Sequence, residues 1–202
     1  MKKIRDIGKC VFGPGRLDGG YPGLSSTAHQ ISYYIPKCKI YCEPFAGLGR
    51  VAKYVKADQI ILNDKSEYAY NFLKSHFIAI VTNLDFEECI KLYDSPDTFF
   101  FNDPPWFEKL YDARTKAFCD RKPIEYYQKL LELVKRIRAN YPICSDHKEK
   151  EIGQMLTKSG YPALVIKSRK KIMGGYAKTK MISNRPFKIQ HPVIDDYIEV
   201  FS

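Results

Sequence analysis

The chain has 202 residues, of which 45% are hydrophobic and 28% charged, enough for one sizeable core and too apolar for a disordered segment. Its 33 Lys and Arg outnumber 23 Asp and Glu, for a formal net charge of +10; this favours a polyanionic partner such as nucleic acid, although a basic balance also serves solubility. The six cysteines form no C-x-x-C pair, the four histidines are scattered and no apolar run approaches a membrane span, which speaks against a metal centre, a disulfide scaffold and a membrane protein.

Gly13-Pro14-Gly15, Gly19-Gly20 and Pro22-Gly23 make the opening turn-rich. Ser25, Ser26 and Thr27 can cap a helix that runs to about Tyr34 and is closed by Pro36. Residues 39–42 read as a strand running into Glu43-Pro44-Phe45-Ala46-Gly47-Leu48-Gly49-Arg50, with a helix expected over 50–56. The strand 59–62 ends at Asn63-Asp64, after which Tyr68, Phe72, Leu73 and Phe77 fall near helical spacing. Asp85 opens a further helical segment, 86–92, and 98–101 is the next strand. Pro123 suits a first helical position ahead of the stripe Ile124, Tyr127, Leu130, Leu131, Val134 and Ile137. Residues 142–144 form a short strand and 148–158 a helix ended by Gly160, and strands over 161–166 and 180–183 flank Gly174-Gly175. Strands alternating with helices imply a single α/β domain over 1–202, its sheet mostly parallel with helices on both faces.

In such sheets ligands bind outside the carboxyl ends of the strands. Glu43, Asp64 and Asp103 each sit at or just beyond one of those ends. Between strand and helix, Gly47 and Gly49 allow a tight turn and close approach to a ligand. Val51-Ala52-Lys53 supplies no third glycine of the dinucleotide fingerprint, and no Gly-Lys-Ser/Thr ending marks a phosphate loop. What remains is a turn suited to an uncharged or zwitterionic nucleoside, or a purely structural one. Asp64 is placed to accept from ribose hydroxyls, or to cap the helix that follows. In Phe101-Asn102-Asp103-Pro104-Pro105-Trp106 the prolines stiffen the turn and leave carbonyls unpaired. Asp103 and the Pro104 carbonyl can then both accept from one NH₂ group, while Trp106 offers a face on which a base stacks for roughly 1–3 kcal/mol. That chemistry fits methylation of an amine on a planar base; the plain alternative is a strand end, a turn acid and a core aromatic. Arg169, Lys170, Lys171, Lys178 and Lys180 concentrate charge around a hairpin over 167–180. Such a ribbon can track phosphates, or be a solvated loop. A second basic loop, 107–122, follows the Asp103 turn and can close over a flipped base.

Glu43-Pro44-Phe45-Ala46-Gly47-Leu48-Gly49, Leu62-Asn63-Asp64 and Asp103-Pro104-Pro105-Trp106 resemble the motifs of S-adenosylmethionine-dependent, adenine-specific DNA methyltransferases of the Dam-like class. Tyr21-Pro22-Gly23, followed by a helix and then Glu43, matches that class's N-terminal cofactor element, here 1–36, ahead of a catalytic core over 37–202. The resemblance is specific over 21–106 and weaker through Ile143-Cys144-Ser145 and Met181-Ile182-Ser183-Asn184. It implies a Rossmann-like three-layer methyltransferase sandwich whose mixed, mostly parallel sheet has seven strands and a C-terminal antiparallel hairpin. It implies S-adenosylmethionine as cofactor, with Tyr21, Gly23 and Ser25 at the methionine end, and Glu43, Phe45, Gly47 and Gly49 as the floor. Asp64 would hold the ribose, Asp85 and Phe86 would lie beside the adenine, and Asp103 would border the cofactor while forming the catalytic turn with Pro104, Pro105 and Trp106. No metal is implied. The implied reaction is N6-methylation of adenine in duplex DNA after base flipping, as in restriction–modification, with the existence of a restriction partner left open. Cysteines read as free thiols and the lack of a membrane span lead one to expect the cytoplasm of a prokaryote or of a virus's host cell.

Two departures bear on this reading. Leu24-Ser25-Ser26 stands where the class usually carries a lysine, leaving Ser25 to offer a hydroxyl. The class also inserts a target-recognition domain between the glycine motif and the Asp-Pro-Pro turn, whereas residues 65–102 are already taken up by core elements, so a separate specificity subunit is a possible partner. Three alternatives remain open: the same site acting on RNA adenine, action on the cytosine amine (such enzymes favour serine where Asp103 stands), and a silent nucleic-acid-binding subunit. Against the last, Gly47, Asp64, Asp103, Pro104 and Pro105 are all intact.

Overall fold

The computed structural model describes residues 28–104, 124–139, 142–146, 163–170, 176–183 and 198–201. Helix α1 (Ala28–Ser32) leads into strand β1 (Cys38–Glu43); a 3₁₀ turn (Ala52–Tyr54) separates this from β2 (Ala57–Asn63). Helix α2 (Glu67–His76), strand β3 (Ile80–Thr82), helix α3 (Phe86–Tyr93) and strand β4 (Thr98–Phe100) follow, then helix α4 (Ile124–Arg136). Four further strands close the order: β5 (Pro142–Asp146), β6 (Ala163–Lys170), β7 (Tyr176–Ser183) and β8 (Ile198–Phe201).

The first four strands form one parallel sheet in the order β3-β2-β1-β4. Strand residues alternate between faces, and both faces are apolar, as a covered parallel sheet requires. Tyr41, Leu62, Phe99 and Phe101 pack with Ile31 and Tyr34 of the α1 region and Leu73 of α2. Cys42, Ile61 and Phe100 pack with Phe86, Cys89 and Ile90 of α3 and Leu130 and Leu131 of α4. The three-layer arrangement around this sheet follows from that division. In the second core the Cys42 and Cys89 thiols lie 3.8 Å apart, both buried.

Side-chain caps start two of the helices. The Ser66 hydroxyl accepts from Ala69 N–H ahead of α2, and the Asp85 carboxylate accepts from Glu87 N–H ahead of α3. Beyond α3, Asp94 accepts from the Arg138 and Ala139 N–H groups, which ties the end of α4 to the end of α3. No helix among the described residues is long and apolar enough to cross a membrane.

Two expectations need correction. In place of one seven-stranded sheet, the described residues hold eight strands in two sheets of four, the second fully antiparallel in the order β5-β7-β6-β8. The helix expected over 50–56 is only the 3₁₀ turn. The chain leaves Gly49 at φ +63° and is already extended at Val55, so a single turn is all that fits. The helix expected over 148–158 lies outside the described residues.

Candidate active site

Strand register decides where the acids meet. β1 pairs with β2 from Cys38↔Ala57 to Glu43↔Leu62, and with β4 from Ile40↔Thr98 to Cys42↔Phe100. The chain builds outward from β1 to β2 and β3, then crosses to place β4 on β1's other side. That reversal is a topological switch point, where open α/β sheets form a ligand crevice at the carboxyl ends. Glu43, Asp64 and Asp103 all stand on that rim.

Glu43 is buried, and its carboxyl accepts from the Tyr41 hydroxyl at 2.7 Å and from the Ala52 N–H. Burial above all, helped by the negative Asp103 and Asp64 and opposed by those two donors, lifts its pKa from 4.5 to about 8. The Tyr41 hydroxyl is itself pushed well above its usual range, chiefly by burial. Asp64 accepts from Gly47 N–H at 2.8 Å on one oxygen and from Ser66 N–H at 2.8 Å on the other. Burial raises its pKa while these two N–H groups oppose the rise. A carboxylate offers about four lone-pair sites, so roughly two stay open to a diol. Gly47 and Gly49 both have positive φ, +52° and +63°, which lets the turn after β1 bring an N–H onto Asp64.

On the α3–α4 side an aromatic group flanks the crevice. The Phe45 and Phe86 rings stack at 5.3 Å, and Tyr126 of α4 packs against Phe86 at 4.9 Å and Phe45 at 6.3 Å. The Tyr126 hydroxyl is raised by burial and by the negative Asp85, Asp64 and Glu87 facing it. Asp85 caps α3 and pairs with Lys65 at 2.8 Å, which links the β2 and β3 connections across the rim.

The structure thus brings together Glu43, Phe45, Gly47, Gly49, Asp64, Asp85, Phe86, Asp103 and Pro104 of the residues expected from sequence. Tyr21, Gly23, Ser25, Pro105, Trp106 and Lys171 lie outside the described residues; Arg169 and Lys170 fall on β6, Lys178 and Lys180 on β7. Three residues were missed. Tyr41 partners Glu43, and Tyr126 stands one position from the Tyr127 of the expected stripe. Asn63 is buried and its amide makes four hydrogen bonds: to the Pro44 and Leu84 carbonyls at 2.9 and 3.0 Å, and from the Thr82 hydroxyl and Leu84 N–H, both at 2.8 Å. A polar residue closing an apolar strand, as in Ile60-Ile61-Leu62-Asn63, was the available signal.

A parallel sheet with helices on both faces, an acid at the end of β2 and a glycine turn after β1 define a Rossmann-like α/β fold. Residues 25–79 match the family model of the D12 class N6 adenine-specific DNA methyltransferase. Solved structures of similar fold include a candidate methyltransferase from Streptococcus mutans in complex with SAH, 11% identical, covering 77% of this chain and 95% of that one at a TM-score of 0.52. A candidate RNA methyltransferase from Pyrococcus horikoshii is 14% identical over 89% of this chain and 95% of that one, TM-score 0.53. Magnesium protoporphyrin IX methyltransferase from Synechocystis, solved with bound SAM, is 12% identical over 91% and 92%, TM-score 0.53. Among curated proteins no match is found.

Proposed function

We propose that the protein is a methyltransferase acting on the exocyclic amine of adenine in DNA, with S-adenosylmethionine as cofactor. The observation that carries the reading is the convergence of Glu43, Asp64 and the Asp103-Pro104 turn on one switch-point crevice. The residues present suit such a cofactor. Asp64 keeps acceptor capacity for ribose hydroxyls, the Phe45–Phe86–Tyr126 group offers apolar faces for a purine, and the acids of the rim favour a cationic ligand. Bound there, S-adenosylmethionine supplies an electrophilic methyl group.

The chain's own work is on the acceptor. An aromatic amine is a poor nucleophile because its lone pair is delocalised into the ring. Hydrogen bonds from the NH₂ group to Asp103 and the Pro104 carbonyl would pull that nitrogen toward a tetrahedral shape and aim its lone pair. Asp103 would also hold the proton that the amine gives up. Alignment and fixed acceptors then lower the barrier without a covalent enzyme adduct. In a duplex the base must first leave the stack, at a cost of a few kcal/mol, and stacking on Trp106 would offset part of it. The match of residues 25–79 to an adenine-specific DNA family supports DNA as the acceptor. A second reading, RNA adenine, is favoured by the interval 65–102 being filled by α2, β3, α3 and β4, with no segment left over for a DNA-reading domain.

Incubation of the protein with isotopically labelled S-adenosylmethionine and mixed DNA and RNA, followed by nucleoside mass spectrometry, tests both. Labelled N6-methyladenine in DNA is expected, and its loss in Asp103→Ala with an unchanged unfolding midpoint. Label confined to ribonucleosides selects the RNA reading, and no transfer by folded protein overturns both.

A further inference from the structure

Asn63 ends β2, a buried strand of a parallel sheet, where an aliphatic side chain would bury without needing partners. Its amide instead fills its whole hydrogen-bonding capacity of two donors and two acceptor sites. Three of those four bonds go to backbone atoms of the connections after β1 and β3, at Pro44 and Leu84. The backbone carbonyl of Asn63 accepts in addition from Ala46 N–H at 2.8 Å, a bond that any side chain here would keep. Asn63 therefore grips the glycine turn at two points and the β3–α3 connection at two more, one on each side of Asp64. Asp64 in turn is fixed from both directions, its backbone by Thr82 and Asn83 and its carboxylate by the Gly47 N–H.

We infer that Asn63 is a positioning residue for the crevice: it holds the glycine turn and the β3–α3 connection at a set spacing, so that the Gly47–Asp64 contact keeps the geometry in which Asp64 receives its ligand. Its effect on the methyl donor rests on the function proposed above; its effect on the rim does not. The Gly47 N–H is given to Asp64 and not to Asn63, so the Gly47 amide reports the inference independently of any ligand.

Hydrogen exchange on the ligand-free protein reads it directly. In Asn63→Ala, exchange at Leu84 N–H should rise because its acceptor is gone. Exchange at Gly47 N–H should also rise, by about tenfold or more, the equivalent of one hydrogen bond's net worth. Amides in the middle of β1 should change far less. Should Asn63→Ala fail to fold, Thr82→Val removes one donor to the same amide at nearly constant shape, and should loosen Gly47 in the same direction by a smaller factor. Calorimetry with S-adenosylmethionine supplies a second readout, in a double-mutant cycle with Asp64→Ala. The Asn63→Ala loss of affinity, expected near tenfold, should shrink once Asp64 is already gone, because the two substitutions act on one contact. Unchanged Gly47 exchange in folded variants, or strictly additive affinity losses, would overturn the inference and leave Asn63 a general stabiliser of the fold. Wild-type protein that binds no donor, with Gly47 loosened in the variants, would instead remove the functional reading and leave the role of Asn63 standing.

Discussion

Among single residues, Glu43 ties burial to chemistry most directly. Its carboxyl is buried at the end of β1 among groups that are neutral or negative: Tyr41, the Ala52 N–H, Asp64 and Asp103. With a pKa of 4.5 when unfolded and about 8 when folded, the native state binds the proton more tightly. The stability this contributes is complete below pH 4.5 and is lost as pH rises through 8. Urea unfolding from pH 5 to 8.5 should therefore show a decline that Glu43→Gln flattens, with the variant the more stable protein at the alkaline end. A decline of equal slope in both would mean that Glu43 is ionised throughout. Asp64 should behave differently on substitution. Asp64→Ala removes the acceptor of two backbone N–H groups, Gly47 and Ser66, so it is expected to weaken donor binding at least tenfold in calorimetry and to cost about 1–3 kcal/mol of stability. Asp103→Ala, at the rim, should spare stability and abolish transfer.

At the scale of elements, the glycine turn carries the sharpest steric demand. A Cβ at Gly49 would lie 2.6 Å from Cζ of Phe77 and 3.1 Å from Cδ2 of Leu73, at a backbone φ of +63°. Phe77 can shift, but the left-handed backbone remains costly for alanine. Gly49→Ala should lower stability by about 2 kcal/mol or more, read as a drop in the urea midpoint at unchanged m. The turn was legible in the sequence because glycines between a strand and a helix have few other uses, and β1, β2, α2, α3 and β4 were legible from apolar periodicity. Two strands were not. β3 is three residues long, and its apolar run Phe77-Ile78-Ala79-Ile80-Val81 continues directly from the stripe of α2, which absorbs it; β8 is four residues near the end of the chain. The acids of the site were readable because each follows an apolar strand. Tyr41 meets Glu43 by simple alternation along β1, a pairing that matters only because both are buried. Asn63 showed only as a polar strand end, because Leu84, like the Phe86 that meets Tyr126, is brought in by sheet order and helix packing.

For the molecule as a whole, the net charge of +10 bears on its partner. Arg169 and Lys170 close β6, and Lys178 and Lys180 lie on the antiparallel β7, with the register shifting between Lys167 and Lys170. If these cations track phosphates, neutralising Arg169, Lys170 and Lys171 together should weaken duplex binding almost equally across sequences. The log–log salt slope should fall in magnitude by about 0.9 for each phosphate that no longer meets a cation. Filter binding at several salt concentrations checks this; weakening confined to one sequence would assign the segment to base reading.

The central position of β1 has a consequence for how such a chain can diverge. Everything on one side of it, through β2 to β3, is a single uninterrupted stretch of polypeptide, and the family match at 25–79 begins ahead of β1 and ends just short of β3. Everything that would meet the acceptor begins later, at Asp103 on the other side of β1. The two parts are thus consecutive along the chain, and among the described residues they meet where Tyr126, Leu130 and Leu131 of α4 pack against Phe45, Phe86, Cys42, Ile61 and Phe100. On the function proposed above, changes after residue 102 that spare α4 can alter the acceptor while the donor side keeps its contacts. A chimera that keeps residues 1–102 together with α4, and exchanges the remainder, should keep its donor and change its acceptor.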